Sequence, residues 1–381
     1  MNEKMKRKYD YLIVGSGLFG AVFAYMARQY GKRCLVIDKR QHIGGNAFCE
    51  NVDGIIVHKY GPHIFHTNDE NLWNFVNKFT SFNQFTLNTI ANYNGKLYNL
   101  PFNMYTFYQM WGVTKPEEAF AIIERQRYEA GIRNPQNLEE QAISLVGYEV
   151  YETLIKGYTE KQWGKPCQKL PASIIKRLPV RYSFNNNYFN DRFQGIPQGG
   201  YNALIAGLLK DTECHTHCNF IDNRSELENL ADKMIYTGPI DEFMGYQLGR
   251  LEYRSLRFEQ ETLPICNFQG NAIVNYTHAE VPYTRIVEHK WFDSSNTQSI
   301  HSPHTVITRE YPQTYTLGAE PYYPINDPVN TSLHKAYLSL AKEKATNVIF
   351  AGRLGAYRYL DMDKTIAEAI TLANEEHERR T

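Results

Sequence analysis

One stretch constrains the fold more than any other: YDYLIVGSGLFGAVFAYMARQYGKRCLVIDKR, residues 9–40. The apolar run YLIV predicts a buried strand. Gly15-Ser16-Gly17-Leu18-Phe19-Gly20 then opens an amphipathic helix ending near Gly31, and CLVID predicts a second strand ending at Asp38. Each glycine answers a steric need. Gly15 permits the tight turn, Gly17 lets a pyrophosphate approach the backbone, and Gly20 lets helix and strand pack closely. The helix N-terminus offers amide donors and partial positive charge to phosphates, and Asp38 can take ribose hydroxyls. A dinucleotide is the expected ligand.

Downstream, HIGGN carries the doublet Gly44-Gly45. It resembles the FAD-binding fold of the amine-oxidase and glutathione-reductase type; nicotinamide dehydrogenases do not usually carry this doublet. Lys+Arg and Asp+Glu are both 41, so no global field draws nucleic acid or an anionic membrane, and any anion must be held by local groups. No apolar run approaches the roughly 18 residues of a bilayer span. The basic N-terminus precedes too short an apolar segment for a signal peptide, which favours the cytoplasm. Six cysteines without framework spacing fit a reduced compartment.

ANYNGKLYNLP (91–101) reads as a hairpin turning at Asn94-Gly95. From about 104 to 165 the pattern is helical, with Pro116 at a helix start and Leu138, Ala142, Leu145 and Val146 at helical spacing. Pro171 and Pro179 break the helix and predict a loop with Arg177 and Arg181. Residues 195–209 give a second glycine turn and helix, ECHTHCNF reads strand-like, and DKMIYTGPID is another buried strand. Segments from about 246 to 318 alternate as antiparallel strands do. The C-terminus reads strand, loop, helix, with Asp361 or Asp363 as cap.

HKYGPHIFHT (58–67) sets His58, His63 and His66 around a Tyr-Gly-Pro turn. Without carboxylate or cysteine partners nearby, a metal there is not expected. In Cys214-His215-Thr216-His217-Cys218, a strand would send the cysteines to one face and the histidines to the other, against tetrahedral coordination. GYTEKQWG presents Tyr158, Thr159 and Trp163, whose aromatic faces suit a nucleobase, while the arginines suit a diphosphate. On these residues alone, an aromatic core patch with solvated arginines is an equal reading.

IVGSGLFGAV, HIGGN, YGPHIFHT, GYTEKQWG, KRLPVR, NNYF, FQG, YTGPID, VPYTRI, EHK, PYYP and YRYLDMD resemble the bacterial UDP-galactopyranose mutase family, in order along nearly the whole chain. The resemblance implies an α/β fold: a Rossmann-like FAD-binding domain (1–85, 195–245, 335–381), an inserted helical domain (102–180) with a mobile arginine loop near 170–183, and a twisted antiparallel β-sheet domain (86–101, 246–334). It implies FAD active when reduced, and interconversion of UDP-galactopyranose and UDP-galactofuranose without net redox. N5 of the reduced flavin is expected to attack the anomeric carbon and expel UDP, the product serving surface polysaccharide. A homodimer is expected on the same ground.

Matched by motif, Arg177 is the mobile-loop arginine, Arg285 its fixed partner, and His63 lies at the flavin ring. Tyr158, Tyr188, Tyr323 and Tyr359 match diphosphate-binding tyrosines, Thr159 and Trp163 the uridine side, and Asn275 the sugar-diphosphate. Gly15, Gly17, Phe19, Gly20, Asp38, Lys39, Gly45, Asn46, His63, Ile64, Arg353, Leu360, Asp361 and Met362 match the FAD site. His66 is read as packed and His58 as structural. Leu154-Ile155 stand where some members carry an aromatic pair, which puts uracil stacking there in doubt. Rival readings are an amine-oxidase-type FAD oxidoreductase, a binding protein of the GDP-dissociation-inhibitor kind, and a mutase preferring UDP-N-acetylgalactosamine.

Overall fold

A computed structural model describes residues 8–175 and 180–379. Strand Tyr9–Val14 pairs in parallel with Cys34–Ile37 on one side and Ala231–Tyr236 on the other. Glu213–His215 and Val348–Phe350 complete a five-stranded parallel sheet. The inner strands are short and mostly apolar because both faces are covered, whereas the edge strand Glu213–His215 is polar and largely exposed. Helix Leu18–Gln29 buries Ala21, Val22, Phe23 and Ala24 against one face with helices Asn202–Leu209 and Met362–Glu378. The other face packs on Phe243, Leu251, Tyr337 and Ala341.

A second sheet of seven strands runs Tyr323–Pro324, Tyr253–Leu263, Thr305–Thr314, Arg285–Glu288, Ile273–Tyr276, Thr89–Tyr93, Lys96–Leu100. It is antiparallel except where Ile273–Tyr276 lies parallel to Thr89–Tyr93. The hairpin turns at Asn94 and Gly95, both at positive φ, as a tight two-residue loop demands. Between the hairpin and residue 175 the chain is helical around its own core of Phe107, Ile123, Leu138 and Tyr151.

Several expectations need correction. The helical run expected over 137–158 forms a helix at Leu138–Val146 but is interrupted at Gly147, whose φ of 80° breaks it. After a short helical piece, the chain widens into a π-helix at Tyr151–Lys156 before helix Gly157–Trp163. Leu154 and Ile155 lie in that wide turn, buried in the helical core. The strand expected over ECHTHCNF ends at His215, since His217 takes a positive φ, so its facing argument does not reach Cys218. Asp361 occupies the N-cap position of the last helix, yet its side chain makes no capping bond. The expected boundaries at 195 and 335 fall inside strand Phe193–Gly195 and helix Pro328–Lys344; the latter starts early because Asp327 caps it and Pro328 opens it.

Candidate active site

The carboxyl ends of the parallel strands open onto a cavity of about 310 Å³. Such crevices are where α/β sheets bind ligands. Gly15 turns at φ +106°, and a Cβ there would sit 2.0 Å from Thr237 Oγ1. A Cβ on Gly20 would lie 2.0 Å from the Gly15 carbonyl oxygen, so helix and turn meet backbone to backbone. Gly45, at φ +55°, packs its Cα face on Gly17, which brings the second glycine doublet against the first turn. Phe19, Lys39 and Asn46 line the same cavity.

Asp38 differs in detail from expectation. Its Oδ2 accepts from Ser16 N at 2.8 Å and Ser16 Oγ at 2.6 Å, and Oδ1 accepts from Arg40 N at 3.0 Å. The carboxylate therefore braces the glycine turn as well as lining the cavity. Lys39 pairs with Glu320 at 3.1 Å rather than standing free.

A second cavity, of about 290 Å³, lies between this region and the antiparallel sheet. Asn46, His63, Arg353, Leu360 and Met362 line both cavities, so the two communicate at these residues. Tyr158, Tyr188, Asn275, Arg285, Tyr323, Tyr359, Ile64 and Asp361 also line the second one. Thr159 and Trp163 do not: Thr159 is buried and Trp163 packs on the helical core. Arg177 lies outside the described residues.

Arg285 is held by Glu310, its cross-strand partner, with Nε and Nη2 each 2.8 Å from Oε2. Burial alone would lower the guanidinium pKa, but Glu310 and neighbouring tyrosines raise it, so the charge is secure. Arg353 lies over Tyr359 and Tyr323, 4.8 and 5.7 Å from the ring centroids. It donates to the Tyr322 carbonyl while its Nε is buried without a partner. Asn275 Oδ1 is likewise buried and unpartnered. Burial pushes the Tyr158 phenol up to about 12, so it is a hydrogen-bond donor at neutral pH. Such a wall of cationic forks and phenols, with Asn275 Oδ1 unfilled, suits a diphosphate joined to a polyol.

The three histidines separate. His66 Nδ1 meets Asp191 at 2.6 Å and the ring stacks on Phe189 at 3.7 Å. His63 reaches both cavities; burial drives its pKa down to about 4, despite the Gly61 carbonyl that Nδ1 contacts at 2.8 Å. His58 is buried behind it. Arg181 is drawn into the local loop, donating to the carbonyls of Asn187 and Tyr188. Among the described residues no group of three or more His, Cys, Asp or Glu could hold a metal ion. Nor is any described helix long and apolar enough to cross a membrane.

Glu310 went unseen in the sequence reading. Its signal lies in TVITREYP, where it shares strand parity with Val306 and Thr308; all three are buried, and a charge on that face needs a partner. Tyr60 and Tyr322, which lie in the strings YGPHIFHT and PYYP, also line the second cavity.

A family model for UDP-galactopyranose mutase matches residues 153–359, and one for an NAD(P)-binding Rossmann-like domain matches residues 13–79. A Klebsiella pneumoniae protein named as a probable UDP-galactopyranose mutase is 42% identical over 367 residues, spanning 96% of this chain and 94% of that one. An Escherichia coli dTDP-fucopyranose mutase is 40% identical over 370 residues, spanning 95% and 97%. In fold, a crystal structure of reduced UDP-galactopyranose mutase superposes with a TM-score of 0.75 at 14% identity, over 97% of this chain and 96% of the other. The glycine-braced dinucleotide crevice opening into an arginine- and tyrosine-lined cavity thus belongs to a chain of the UDP-galactopyranose mutase family of isomerases.

Proposed function

We propose that the protein interconverts UDP-galactopyranose and UDP-galactofuranose in the cytoplasm, without net redox, and so supplies galactofuranose for surface polysaccharide. The observation that carries this reading is the meeting of the two cavities at His63 and Arg353, with Arg285 lining the second. FAD suits the first cavity: the glycine turn offers backbone to a pyrophosphate, and Arg353 Nε is buried without a partner. When bound and reduced, FAD supplies the nucleophile, N5, for the anomeric carbon of the sugar.

The side chains of this chain then have orienting and electrostatic work. Arg285, fixed by Glu310, stabilises the negative charge that grows on the departing diphosphate and keeps UDP beside the sugar for its return. Arg177, by its place in the matched motif, is its counterpart. Tyr158, Tyr188, Tyr323 and Tyr359 donate to diphosphate oxygens, and Asn275 Oδ1 accepts from a sugar hydroxyl. Thr159 and Trp163, outside both cavities, are assigned to the uridine side by the motif match alone, and Leu360, at the junction, borders the cofactor with its neighbour Asp361.

Arg177→Ala and Arg285→Ala should each cost most of kcat while FAD stays bound. Loss of FAD together with activity would assign them to architecture instead. A second reading is ring interconversion of dTDP-fucopyranose, favoured by the relative at 40% identity, a value barely below the 42% of the galactose enzyme. That sugar lacks the 6-hydroxyl and its nucleoside lacks the 2′-hydroxyl. Comparing kcat/KM for the two donors decides between them.

A further inference from the structure

Behind the junction of the two cavities runs a chain of buried side chains to which the reaction assigns no task. His63 N donates to Nδ1 of His58 at 3.0 Å, and the His63 carbonyl accepts from Tyr201 Oη at 3.0 Å. His58 N in turn donates to Nδ1 of His289 at 3.3 Å, and His289 Nε2 meets Thr308 Oγ1 at 2.8 Å. His58 and His289 are each 2% exposed and Tyr201 is fully buried. None of the three lines either cavity, whereas His63 lines both.

The acceptors fix the protons. A nitrogen that receives a backbone N–H carries none itself, so His58 and His289 are both neutral with the proton on Nε2. Gly61 O accepts from His63 Nδ1, which therefore carries a proton, and because burial keeps the ring neutral near pH 7, Nε2 of His63 is left as a bare acceptor. His58 is wedged in place, stacked on Phe292 at 4.7 Å and edge-on to Tyr201 at 5.9 Å.

We propose that His58 is a positioning residue of the cofactor site: with Tyr201 it clamps both peptide groups flanking His63, so that His63 presents an unprotonated Nε2 where the two cavities meet. This rests on the reading that the reactive end of the cofactor lies at that junction. Burial drives the His58 pKa well below the ordinary histidine value, which keeps Nδ1 available as an acceptor at neutral pH.

Two variants separate clamping from packing. His58→Asn places an amide oxygen on Cγ where Nδ1 stood, while His58→Phe keeps a ring against Phe292 but offers no acceptor. Amide hydrogen exchange of the 59–67 segment is followed by mass spectrometry, in the FAD-bound protein and after FAD is stripped, alongside kcat and KM. In His58→Phe, exchange in this segment should rise about tenfold in both forms and kcat should fall about tenfold at unchanged KM, the scale of a buried donor left unpaired. His58→Asn should restore both. Segment exchange within twofold of the parent in His58→Phe overturns the proposal, as does equal damage by Asn and Phe spread over the whole chain. If exchange responds as expected but neither sugar nucleotide is turned over, the clamp on His63 stands and the substrate reading fails separately.

Discussion

Arg285 and Glu310 face each other across neighbouring antiparallel strands, and one carboxylate oxygen, Oε2, accepts from both Nε and Nη2 of the guanidinium at 2.8 Å. Glu310 is 1% exposed, so its charge is tolerable only because the arginine is there. The same oxygen lies 3.4 Å from where a Cβ on Gly61 would sit, which ties the arginine to the loop that carries His63.

Glu310→Gln keeps the shape and removes the charge. Charge-assisted hydrogen bonds are worth about 1.5–3 kcal/mol, so kcat should fall roughly tenfold to hundredfold. Bound FAD, read from its visible absorbance, should not change. Unchanged kcat would mean that Arg285 keeps its pose without its counter-ion.

Asp38→Ala removes the acceptor of Ser16 N, Ser16 Oγ and Arg40 N. The glycine turn loses its brace, and the FAD affinity of stripped protein should weaken roughly tenfold to hundredfold. Titration of apoprotein with FAD checks this; an unaltered Kd would show that the turn holds its shape alone.

Gly45→Ala tests the packing of the two glycine turns. The new methyl would lie 2.9 Å from Gly17 Cα at a φ of +55°, adding a strain on the order of 1–3 kcal/mol. Both Tm and FAD occupancy should fall, whereas Gly31→Ala, also at positive φ but with nothing within 4 Å, should leave FAD occupancy intact.

Acid should unfold the protein in a window set by its buried histidines. Burial lowers His289 to about 3 and His63 to about 4, against an ordinary value of 6.5. The unfolded chain therefore binds more protons below about pH 6.5, and stability, full above that pH, is lost as pH falls toward 4. Each histidine contributes a slope of up to about 1.4 kcal/mol per pH unit. Urea unfolding between pH 7 and 4.5 reads it, and His289→Gln should flatten the slope. A flat profile in the parent would contradict the burial argument.

The dinucleotide half of the site was legible because every part of it is local in sequence: strand, glycine turn, helix, second strand and Asp38 follow within thirty-odd residues, and each residue type answers a steric or electrostatic need there. Glu310 was not, because pairing it with Arg285 requires strand register across the intervening residues, which composition does not carry. Nor was the clamp on His63. The sequence places His58 five residues away, but Tyr201 and His289 arrive from distant elements, and only their packing makes His58 an acceptor. Gly147 shows the opposite failure: apolar spacing carried on through it, and a backbone conformation overrode the pattern.

The most direct test of the central claim is to incubate the FAD-loaded protein with UDP-galactopyranose, oxidised in one sample and reduced by dithionite in the other, and to follow both ring forms by chromatography. The account predicts that only the reduced protein equilibrates UDP-galactopyranose with UDP-galactofuranose, over many turnovers and with no reductant consumed per turnover. Absence of the furanose from the reduced sample, or sugar oxidation matched by an electron acceptor, would contradict it.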